Sequence, residues 1–341
     1  MSKMGYSPVS TDIDYEKDGK QVSYLGVPHS NNSSAWGSIL IPITVIKNGT
    51  GPTILFTSGV HGDEYEGPIA LMKLARRLSP ENINGRVLIL PGLNLPALQA
   101  GTRLSPIDGK DLNRVFPGNP QGTISQIIAH YLNEKILPFC DAVIDLHSGG
   151  YSLNFVPYIS MHYLEDEQQR RATLEAMDAF QAPVSMIINE IGGEGLLDYE
   201  VEKMGKIFLC AEMAGAGMFS PDALKIAETG IQNLLVHFDV MAGDILTRES
   251  KGLSPPQRME IPGQDYYCMA PASGIFESFF KLGDWMDAGQ AIGQIHFVNE
   301  IAREPLVIHA PRPGRMIIIR APGQAEIGDC LAVIARHFVS F

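Results

Sequence analysis

Short apolar segments alternate with amphipathic segments along most of the chain, and this alternation limits the possible folds more than any other feature. The apolar segments GPTILF, RVLILPG, AVIDLH and KIFLCAEM have the length and composition of buried strands. Residues 66–78, 122–136, 165–180 and 221–242 have the amphipathic pattern of helices. Strands and helices that alternate in this way form a sheet with helices on its faces. The sequence therefore predicts an α/β fold.

Composition excludes two large classes of partner. The 341 residues carry 38 acidic and 26 basic side chains, a net charge of −12, and no lysine and arginine cluster, so no nucleic-acid partner is expected. No apolar stretch is long enough to cross a membrane, and the N-terminus lacks a leader pattern. We expect a cytoplasmic enzyme of small molecules, with a homo-oligomer as a possible state. Scattered single cysteines argue against a disulfide framework and against a thiolate zinc site: Cys140, Cys210, Cys268 and Cys330.

A change in composition near residue 249 predicts two domains. The segment ESKGLSPPQRMEIPGQ, which begins at Glu249, is rich in proline, glycine and serine and has no apolar periodicity. This composition is typical of an interdomain linker. We therefore predict one domain over residues 1–249, and the linker with a second domain over residues 250–341.

The second predicted domain contains an internal repeat. APASG at 270–274 and APRPG at 310–314 are each followed by a Gly-Asp pair, at 283–284 and 328–329. The repeat predicts a small C-terminal β-sandwich of two similar halves, which resembles the lipoyl and biotinyl carrier fold. Lys281 is the last lysine and precedes the hairpin that would carry a cofactor. Covalent attachment is therefore not expected, and we interpret the domain as a structural lid or an oligomer surface.

The stretch TSGVHGDEYEGPIAL places a histidine and an acid where a predicted strand meets a predicted helix. His61 and Glu64 are three residues apart, so both side chains can face one point, and an imidazole with a carboxylate suits zinc. The alternative is a turn histidine beside a capping acid. His147 ends the strand AVIDLH, and in a parallel sheet it lies at the same edge as His61. Such a His/Glu/His set leaves one zinc position open, as hydrolysis requires, although iron, cobalt and nickel accept the same ligands.

Three motifs in this order resemble one enzyme family. GVHGDEYEG at 59–67, DLNRVFPG at 111–118 and DLHSGG at 145–150 resemble the succinylglutamate desuccinylase/aspartoacylase family of zinc carboxypeptidase-like amidohydrolases. The resemblance covers both predicted domains and implies a carboxypeptidase-like mixed sheet with one zinc ion per subunit, held by His61, Glu64 and His147. The stretch SAWGSILIPITVIKNGTGP further resembles the branch that deacetylates Nα-acetyl-2,4-diaminobutyrate in ectoine breakdown.

The resemblance also implies roles for four other side chains. Asn113 and Arg114 bind the α-carboxylate of the substrate, and Arg103 polarises the scissile carbonyl. Surface salt bridging is the commoner role of an arginine, but both arginines lie in a glycine- and proline-rich loop beside the metal motifs. Glu212 is implied to be the general acid/base. Its place at the end of an apolar strand supports this, because a buried carboxylate is usually functional or paired.

Several acids compete for these roles. Glu66, Glu190 and Glu194 are rivals of Glu212. We interpret Glu66 as an acid of the first helical turn, favoured by the helix dipole, and assign the other two to a specificity loop. Asp145 lies two residues before His147 on the same strand face, so it either orients that ligand or only packs.

The loop before Glu212 favours a cationic substrate side chain. Residues 172–247 contain no arginine, and the loop GGEGLLDYEVEK has one lysine against four acids: Glu194, Asp198, Glu200 and Glu202. An acid-lined pocket attracts an ammonium and repels a second carboxylate. We therefore expect an Nα-acyl diamino acid as the substrate, first of all Nα-acetyl-2,4-diaminobutyrate, with Glu194 and Asp198 as binding residues.

Three other functions stay open at this point. The substrate could be an acidic N-acyl amino acid, as for succinylglutamate desuccinylase and aspartoacylase, or a peptide, as for a metallocarboxypeptidase. A non-enzymatic metal-binding or carrier-like module is the third alternative. The resemblance also implies a site tyrosine from the C-terminal domain, for which Tyr266 and Tyr267 are candidates without a spacing argument.

Overall fold

The computed structural model describes residues 7–189 and 193–341. In these ranges the helices are α1 (Glu66–Arg77), α2 (Leu95–Ala100), α3 (Ile124–Tyr131), α4 (Glu167–Phe180), α5 (Leu197–Lys203) and α6 (Pro221–His237). The strands up to residue 212 are β1 (Gly19–Pro28), β2 (Ser38–Asn48), β3 (Thr53–Ser58), β4 (Gly85–Leu90), β5 (Ala142–His147), β6 (Leu153–Phe155), β7 (Tyr158–His162), β8 (Val184–Ile188) and β9 (Ile207–Glu212). The later strands are β10 (Gln257–Ile261), β11 (Tyr267–Met269), β12 (Gly274–Ser278), β13 (Trp285–Met286), β14 (Ala291–His296), β15 (Leu306–His309), β16 (Gly314–Arg320), β17 (Gln324–Ala325) and β18 (Cys330–His337).

The centre of the molecule is a large mixed sheet. Its main path in the described ranges runs β1-β2-β4-β3-β5-β9-β7-β8-β10-β18-β16-β13. β3, β5 and β9 are neighbours and parallel, so their carboxyl ends meet at one edge. Every residue of β3, β4 and β5 is buried, as expected for strands covered on both faces. The prediction of a mixed sheet flanked by helices is confirmed.

Helices cover both faces of this sheet because each presents an apolar stripe. On one face, Leu71 of α1 and Leu234 of α6 belong to the same buried cluster as Phe56 of β3. On the other face, Ile128 of α3 and Val201 of α5 belong to a second cluster. The site residues at the strand ends therefore rest on a core that fixes the strands from both sides.

Three predicted segments differ from the structure. The helix predicted over 221–242 ends at His237, and Asp239 just beyond it has a left-handed φ of 57°, which a helix does not accommodate. The helix predicted over 122–136 is α3 followed by a single π-helical turn, Leu132–Ile136. The loop assigned to specificity contains α5, so part of it is a regular element packed on β9.

The C-terminal region continues the large sheet and adds a smaller one. β10 lies inside the predicted linker, yet it pairs parallel with β8 and antiparallel with β18. The smaller sheet has the order β15-β14-β12-β17. A third buried cluster contains residues of both sheets. The sheet thus runs across the predicted boundary at residue 249. The two-domain division and the likeness to a lipoyl fold stay predictions.

One strand links the C-terminal region to the loops that follow β5 and β9. β6 follows His147 by a few residues and pairs antiparallel with β16. Asn154 of β6 also bridges to Gly215, in the loop after Glu212.

Among the described residues, no helix combines the length and the apolar character needed to cross a bilayer.

Candidate metal centre and catalytic site

The turn between β3 and α1 carries two of the predicted metal ligands, His61 and Glu64. This turn approaches another segment closely, because a Cβ at Gly62 would overlap the Ala97 carbonyl, so only glycine fits there. The Gly62 N–H donates to the Thr102 carbonyl at 2.9 Å. The segment after α2 is thereby held beside the two ligands.

The structure brings His61, Glu64 and His147 together. His61 Nδ1 lies 2.7 Å from Glu64 Oε1, and His147 Nδ1 lies 2.9 Å from Glu64 Oε2. One ligand atom from each residue lies within 4.8 Å of the other two, so the group could hold a metal ion. All three side chains are buried. The prediction that β5 delivers His147 to the same sheet edge as His61 is met by the parallel pairing of β3 and β5.

The second nitrogen of each imidazole also faces a carboxylate. His147 Nε2 lies 2.8 Å from Asp145 Oδ2, and the Thr57 hydroxyl donates to the other oxygen of Asp145 at 2.8 Å. His61 Nε2 lies 3.2 Å from Asp111 Oδ1. A neutral imidazole has one N–H, so two carboxylate neighbours require either a second proton or a metal ion at Nδ1. This donor set fits a divalent cation, with the two aspartates orienting the rings.

The electrostatics of the cluster favour positive charge at its centre. Burial alone lowers the pKa of His147, but Asp145 and Glu64 outweigh it and hold that pKa well above its usual range. Burial raises the pKa of Glu64, but His147 and His61 outweigh it and lower the pKa to about 2. The carboxylate is therefore ionised at neutral pH, as a metal ligand must be.

Glu212 lies beside the cluster. It is the last residue of β9 and the Cα partner of His147 across the parallel ladder. Its Oε2 atom is buried and has no hydrogen-bond partner among the described residues. Burial raises the pKa of Glu212 to about 8, with Glu64 and Asp145 adding to the rise while His147 and Arg103 oppose it. Glu212 is therefore a carboxyl group that exchanges a proton near neutral pH, as a general acid/base does.

Asp111 connects the candidate metal cluster, formed by the three converging side chains, to the predicted substrate clamp, which consists of Arg103, Asn113 and Arg114. Besides facing His61, it accepts a hydrogen bond from Arg103 Nη2 at 2.9 Å and one from the Asn113 N–H at 2.9 Å. Burial raises its pKa, but His61, Arg103 and Arg114 outweigh it and hold that pKa far below its usual range. The Arg103 side chain is 46% exposed, and Arg114 is also exposed. Both guanidinium groups thus lie near Asp111 and are open to solvent.

The acidic loop lies against this clamp. Asn113 Oδ1 accepts a hydrogen bond from the Leu197 N–H at 2.9 Å, and the Gly195 carbonyl accepts one from the Phe116 N–H at 3.0 Å. Glu194, next to Gly195, is exposed. The specificity loop is therefore fixed to the clamp by its backbone, with Glu194 at the surface.

The other three acids of this loop differ in exposure. Asp198 is half-buried, and its Oδ2 lies 3.9 Å from His162 Nε2. Glu202 lies on the other side of the same ring, 3.0 Å from His162 Nδ1. Glu200 is buried. Of the four acids counted in the sequence, Glu194 alone is classed as exposed within the described part of the chain.

Sequence reasoning left some neighbours of the site unassigned. The sequence indicates no role for Asp111, although this residue begins the DLNR motif. It leaves two roles open for Asp145, and the contact with His147 favours the one in which Asp145 orients that ring. Tyr158 of β7 is buried beside Glu212 as its Cα partner, and burial and Glu212 raise its pKa. No spacing in the sequence indicates Tyr158. Glu190 lies outside the described residues.

Residues 50–238 match the family model described as the succinylglutamate desuccinylase/aspartoacylase catalytic domain. The chain belongs to this family. Its members are in general zinc-dependent, and the chain is an enzyme that acts on amides.

Similar proteins extend this match to almost the whole chain. N-alpha-acetyl-L-2,4-diaminobutyric acid deacetylase of Halomonas elongata is 42% identical over 330 residues, 97% of this chain and 95% of that protein. A succinylglutamate desuccinylase/aspartoacylase from Rhodobacter sphaeroides has a TM-score of 0.94 and 42% identity, with 98% of this chain and 100% of that chain covered. The product-bound ectoine utilization protein EutE (DoeB) from Ruegeria pomeroyi has a TM-score of 0.93 and 39% identity, with coverages of 97% and 100%.

Proposed function

We propose that this enzyme is a zinc-dependent deacylase that hydrolyses Nα-acetyl-2,4-diaminobutyrate to acetate and 2,4-diaminobutyrate. The observation that carries the proposal is the convergence of His61, Glu64 and His147, with a proton-accepting carboxyl group, Glu212, beside them. The Halomonas elongata relative, which is named for this deacetylation, supports the substrate.

The zinc ligands in this proposal are His61 Nδ1, Glu64 and His147 Nδ1. When bound, zinc would polarise the scissile carbonyl and make water acidic enough to attack at neutral pH. Asp145 and Asp111 keep the two rings oriented through their Nε2 atoms.

Glu212 moves the proton in the proposed reaction. A raised pKa lets its carboxylate accept a proton from the attacking water and then donate it to the leaving amine. Proton transfer to that amine is needed because an amide nitrogen leaves poorly as an anion. The Oε2 atom of Glu212 is buried, which limits the access of bulk water to the carboxyl group.

The clamp orients the substrate and stabilises developing charge. Arg103 is close enough to Glu212 to oppose the rise of its pKa, so its cationic head can also stabilise the oxyanion that forms at the carbonyl. Asn113 and Arg114 bind the α-carboxylate, for which an exposed guanidinium fork is suited. Asp111 holds Arg103 by a side-chain bond and Asn113 by its backbone N–H, so the clamp and the metal ligands move together.

The acidic loop selects the substrate in this proposal. Glu194 and Asp198 lie on the segment whose backbone is bonded to Asn113 and Phe116, so two acidic residues lie next to the clamp along this segment. A second carboxylate on the substrate would be repelled there, and a side-chain ammonium would be attracted. The Ruegeria pomeroyi relative is an ectoine utilization protein with a product-bound structure, which agrees with a small-molecule ligand.

A direct assay tests the proposal. Acetate release is measured from Nα-acetyl-2,4-diaminobutyrate and from Nα-acetyl-aspartate, with the metal content determined in the same preparation. Faster cleavage of the diaminobutyrate compound and about one zinc per chain are expected. Faster cleavage of the aspartate compound would instead favour the second candidate, a deacylase of acidic N-acyl amino acids, which the family description supports. A protein that keeps zinc but has no turnover would be a metal-binding module.

A further inference from the structure

Glu66 occupies a buried position between two helix N-termini. It is in the first turn of α1 and has no exposed surface. Its Oε1 accepts a hydrogen bond from the N–H of Ser220, the N-cap of α6, at 2.7 Å. Its Oε2 is buried and has no partner of good geometry among the described residues. A role limited to the dipole of its own helix, as inferred from sequence, does not account for the bond to α6.

Glu66 lies close to the loop that follows His147. Burial raises the pKa of Glu66, and hydrogen bonding from Ser220, from the first turn of α1 and from Ser148 opposes that rise. Ser148 directly follows His147, and its N–H donates to Glu64 Oε2 at 3.1 Å. One carboxylate therefore lies between the start of α1, the end of β5 and the start of α6.

Close packing fixes the start of α1 against the strands. A Cβ at Gly67 would lie 2.8 Å from the Leu146 carbonyl and 2.8 Å from the Ser58 side chain. Any larger residue would push the helix away from β3 and β5, because real Cβ contacts are not this short. The absence of a side chain at position 67 thus allows the Glu66 carboxylate to reach across to Ser220.

The loop between Glu212 and Ser220 has a conformation that needs support. Ala214 and Ala216 have φ values of 65° and 60°, in the left-handed region that favours glycine. Hydrogen bonds hold the loop to the one after His147, for example from the Met213 N–H to the His147 carbonyl at 2.9 Å. At its far end, the Glu66 carboxylate accepts the bond from Ser220.

We propose that Glu66 is a positioning residue that holds the loops after His147 and Glu212 in the geometry required for metal binding and proton transfer. Ser220 connects it to the loop after Glu212, and the bond from the Met213 N–H to the His147 carbonyl connects that loop to the one after His147. Its link to catalysis rests on the proposed function, but its effect on the loops does not. Loss of the carboxylate frees Ser220 at the far end of the loop. The loop with the left-handed Ala214 and Ala216 then relaxes, and the geometry of the ligands it contacts loosens.

Glu66→Ala tests this proposal with three measurements. Hydrogen exchange of residues 213–220 in the metal-free protein should become at least about 10-fold faster. Zinc affinity, measured by competition with a chelator, should fall by about 10-fold or more, as is common when an outer-shell partner of a ligand is removed. The value of kcat/KM should fall because kcat falls. Glu66→Gln keeps an oxygen for Ser220 and should recover most of each loss.

Leu234→Ala is the matched control. Leu234 is fully buried in the core on α6, away from the helix start, so its truncation lowers the Tm without touching the loops. It should leave zinc affinity and exchange over 213–220 near the wild-type values. If Glu66→Ala shows no more change in these two readouts than Leu234→Ala, the role of Glu66 is only structural and the proposal is wrong.

A second variant covers the case in which Glu66→Ala does not fold. Glu66→Asp keeps the charge but is one methylene shorter, so it cannot hold Ser220 in the present geometry. Glu66→Asp should also show faster hydrogen exchange of residues 213–220 and weaker zinc binding. Wild-type exchange and wild-type zinc affinity in this variant would overturn the proposal. If the wild type lacks deacylase activity, the proposed function fails, while the exchange and zinc measurements still decide the role of Glu66.

Discussion

The candidate metal cluster and the proposed substrate clamp lie side by side but are built differently. In the cluster, His61, Glu64 and His147 are each at most 5% exposed, and every ring nitrogen has a carboxylate within 3.2 Å. In the clamp, Arg103 and Arg114 are exposed. Asp111 is the residue that joins the two regions.

In the proposed function, the cluster carries out the chemistry and the clamp recognises the substrate. A buried, fully hydrogen-bonded cluster is fixed before the substrate arrives, so the reacting groups need no rearrangement. Exposed arginines and an exposed acid keep their hydration until a ligand displaces it, so each contributes less but can be changed without loss of the fold. Substitutions in the cluster should therefore have large effects on kcat or on zinc. Substitutions of the exposed residues that only bind the substrate, Arg114 and Glu194, should have smaller effects on substrate choice.

Glu212→Gln should have the largest effect. The amide cannot accept the proton of the attacking water, so kcat should fall by about 10²–10⁴-fold, the usual contribution of a general acid/base. Zinc content should stay near wild type, because Glu212 is not one of the three converging ligands. Single-turnover assays with parallel metal analysis measure both. Residual kcat within a few-fold of wild type would assign the proton transfer to another group.

The same substitution should change how stability depends on pH in the metal-free protein. The folded pKa of Glu212, about 8, lies above its ordinary value. Between pH 5 and 8 the unfolded chain thus loses this proton first, and wild-type stability falls as pH rises. Glu212→Gln has no such proton, so its advantage over wild type should grow across this range, by at most about 1.4 kcal/mol for each unit of pKa shift.

Urea unfolding with a chelator at pH 5 and pH 8 measures this difference. Zinc should reduce this difference in stability, because a nearby cation favours the ionised form of Glu212. An advantage of Glu212→Gln that is constant or shrinks toward pH 8 would show that Glu212 is already ionised in the folded metal-free protein.

Asp145→Asn and Asp111→Asn test the boundary between the two regions. Asp145 is 1% exposed and touches only the cluster side, so Asp145→Asn should weaken zinc binding by about 10–100-fold. Asp111 also binds Arg103 and Asn113, so Asp111→Asn should weaken zinc less and raise KM more. Chelator competition and steady-state kinetics measure the two effects. Equal zinc losses with equal KM values would mean that the clamp is not connected to the cluster through Asp111.

Much of the fold could be predicted because it rests on local patterns. β5 was predicted with the observed bounds, since an apolar strand bounded by a charge and by glycines has few alternatives. β10 was missed because its pairing with β8 and β18 depends on partners distant in sequence. The link between β6 and β16 was missed for the same reason.

In the candidate site, too, some residues could be predicted from the sequence and others could not. The convergence of His61, Glu64 and His147 could be predicted because their residue types and strand-end positions are both visible in the sequence. Asp111 and Glu66 could not, because their roles come from contacts with His61 and Ser220 that the fold creates. The sequence does not distinguish the four acids of the predicted specificity loop from one another. In the structure, Asp198 and Glu202 lie on either side of His162.

Glu194→Gln should have the smallest effect and the most selective one. Glu194 is exposed, so losing its charge should lower kcat/KM for Nα-acetyl-2,4-diaminobutyrate by less than about 10-fold, because exposed charge pairs contribute about 1 kcal/mol or less. Nα-acetyl-norvaline has the same shape without the ammonium, and its kcat/KM should not change. Asp198→Asn is the control, because its carboxylate lies near His162 and should give a smaller change of selectivity. Asp198→Asn could instead lose the preference for the charged substrate while Glu194→Gln keeps it. In that case the half-buried Asp198 binds the ammonium of the substrate, and substrate recognition is not confined to exposed residues.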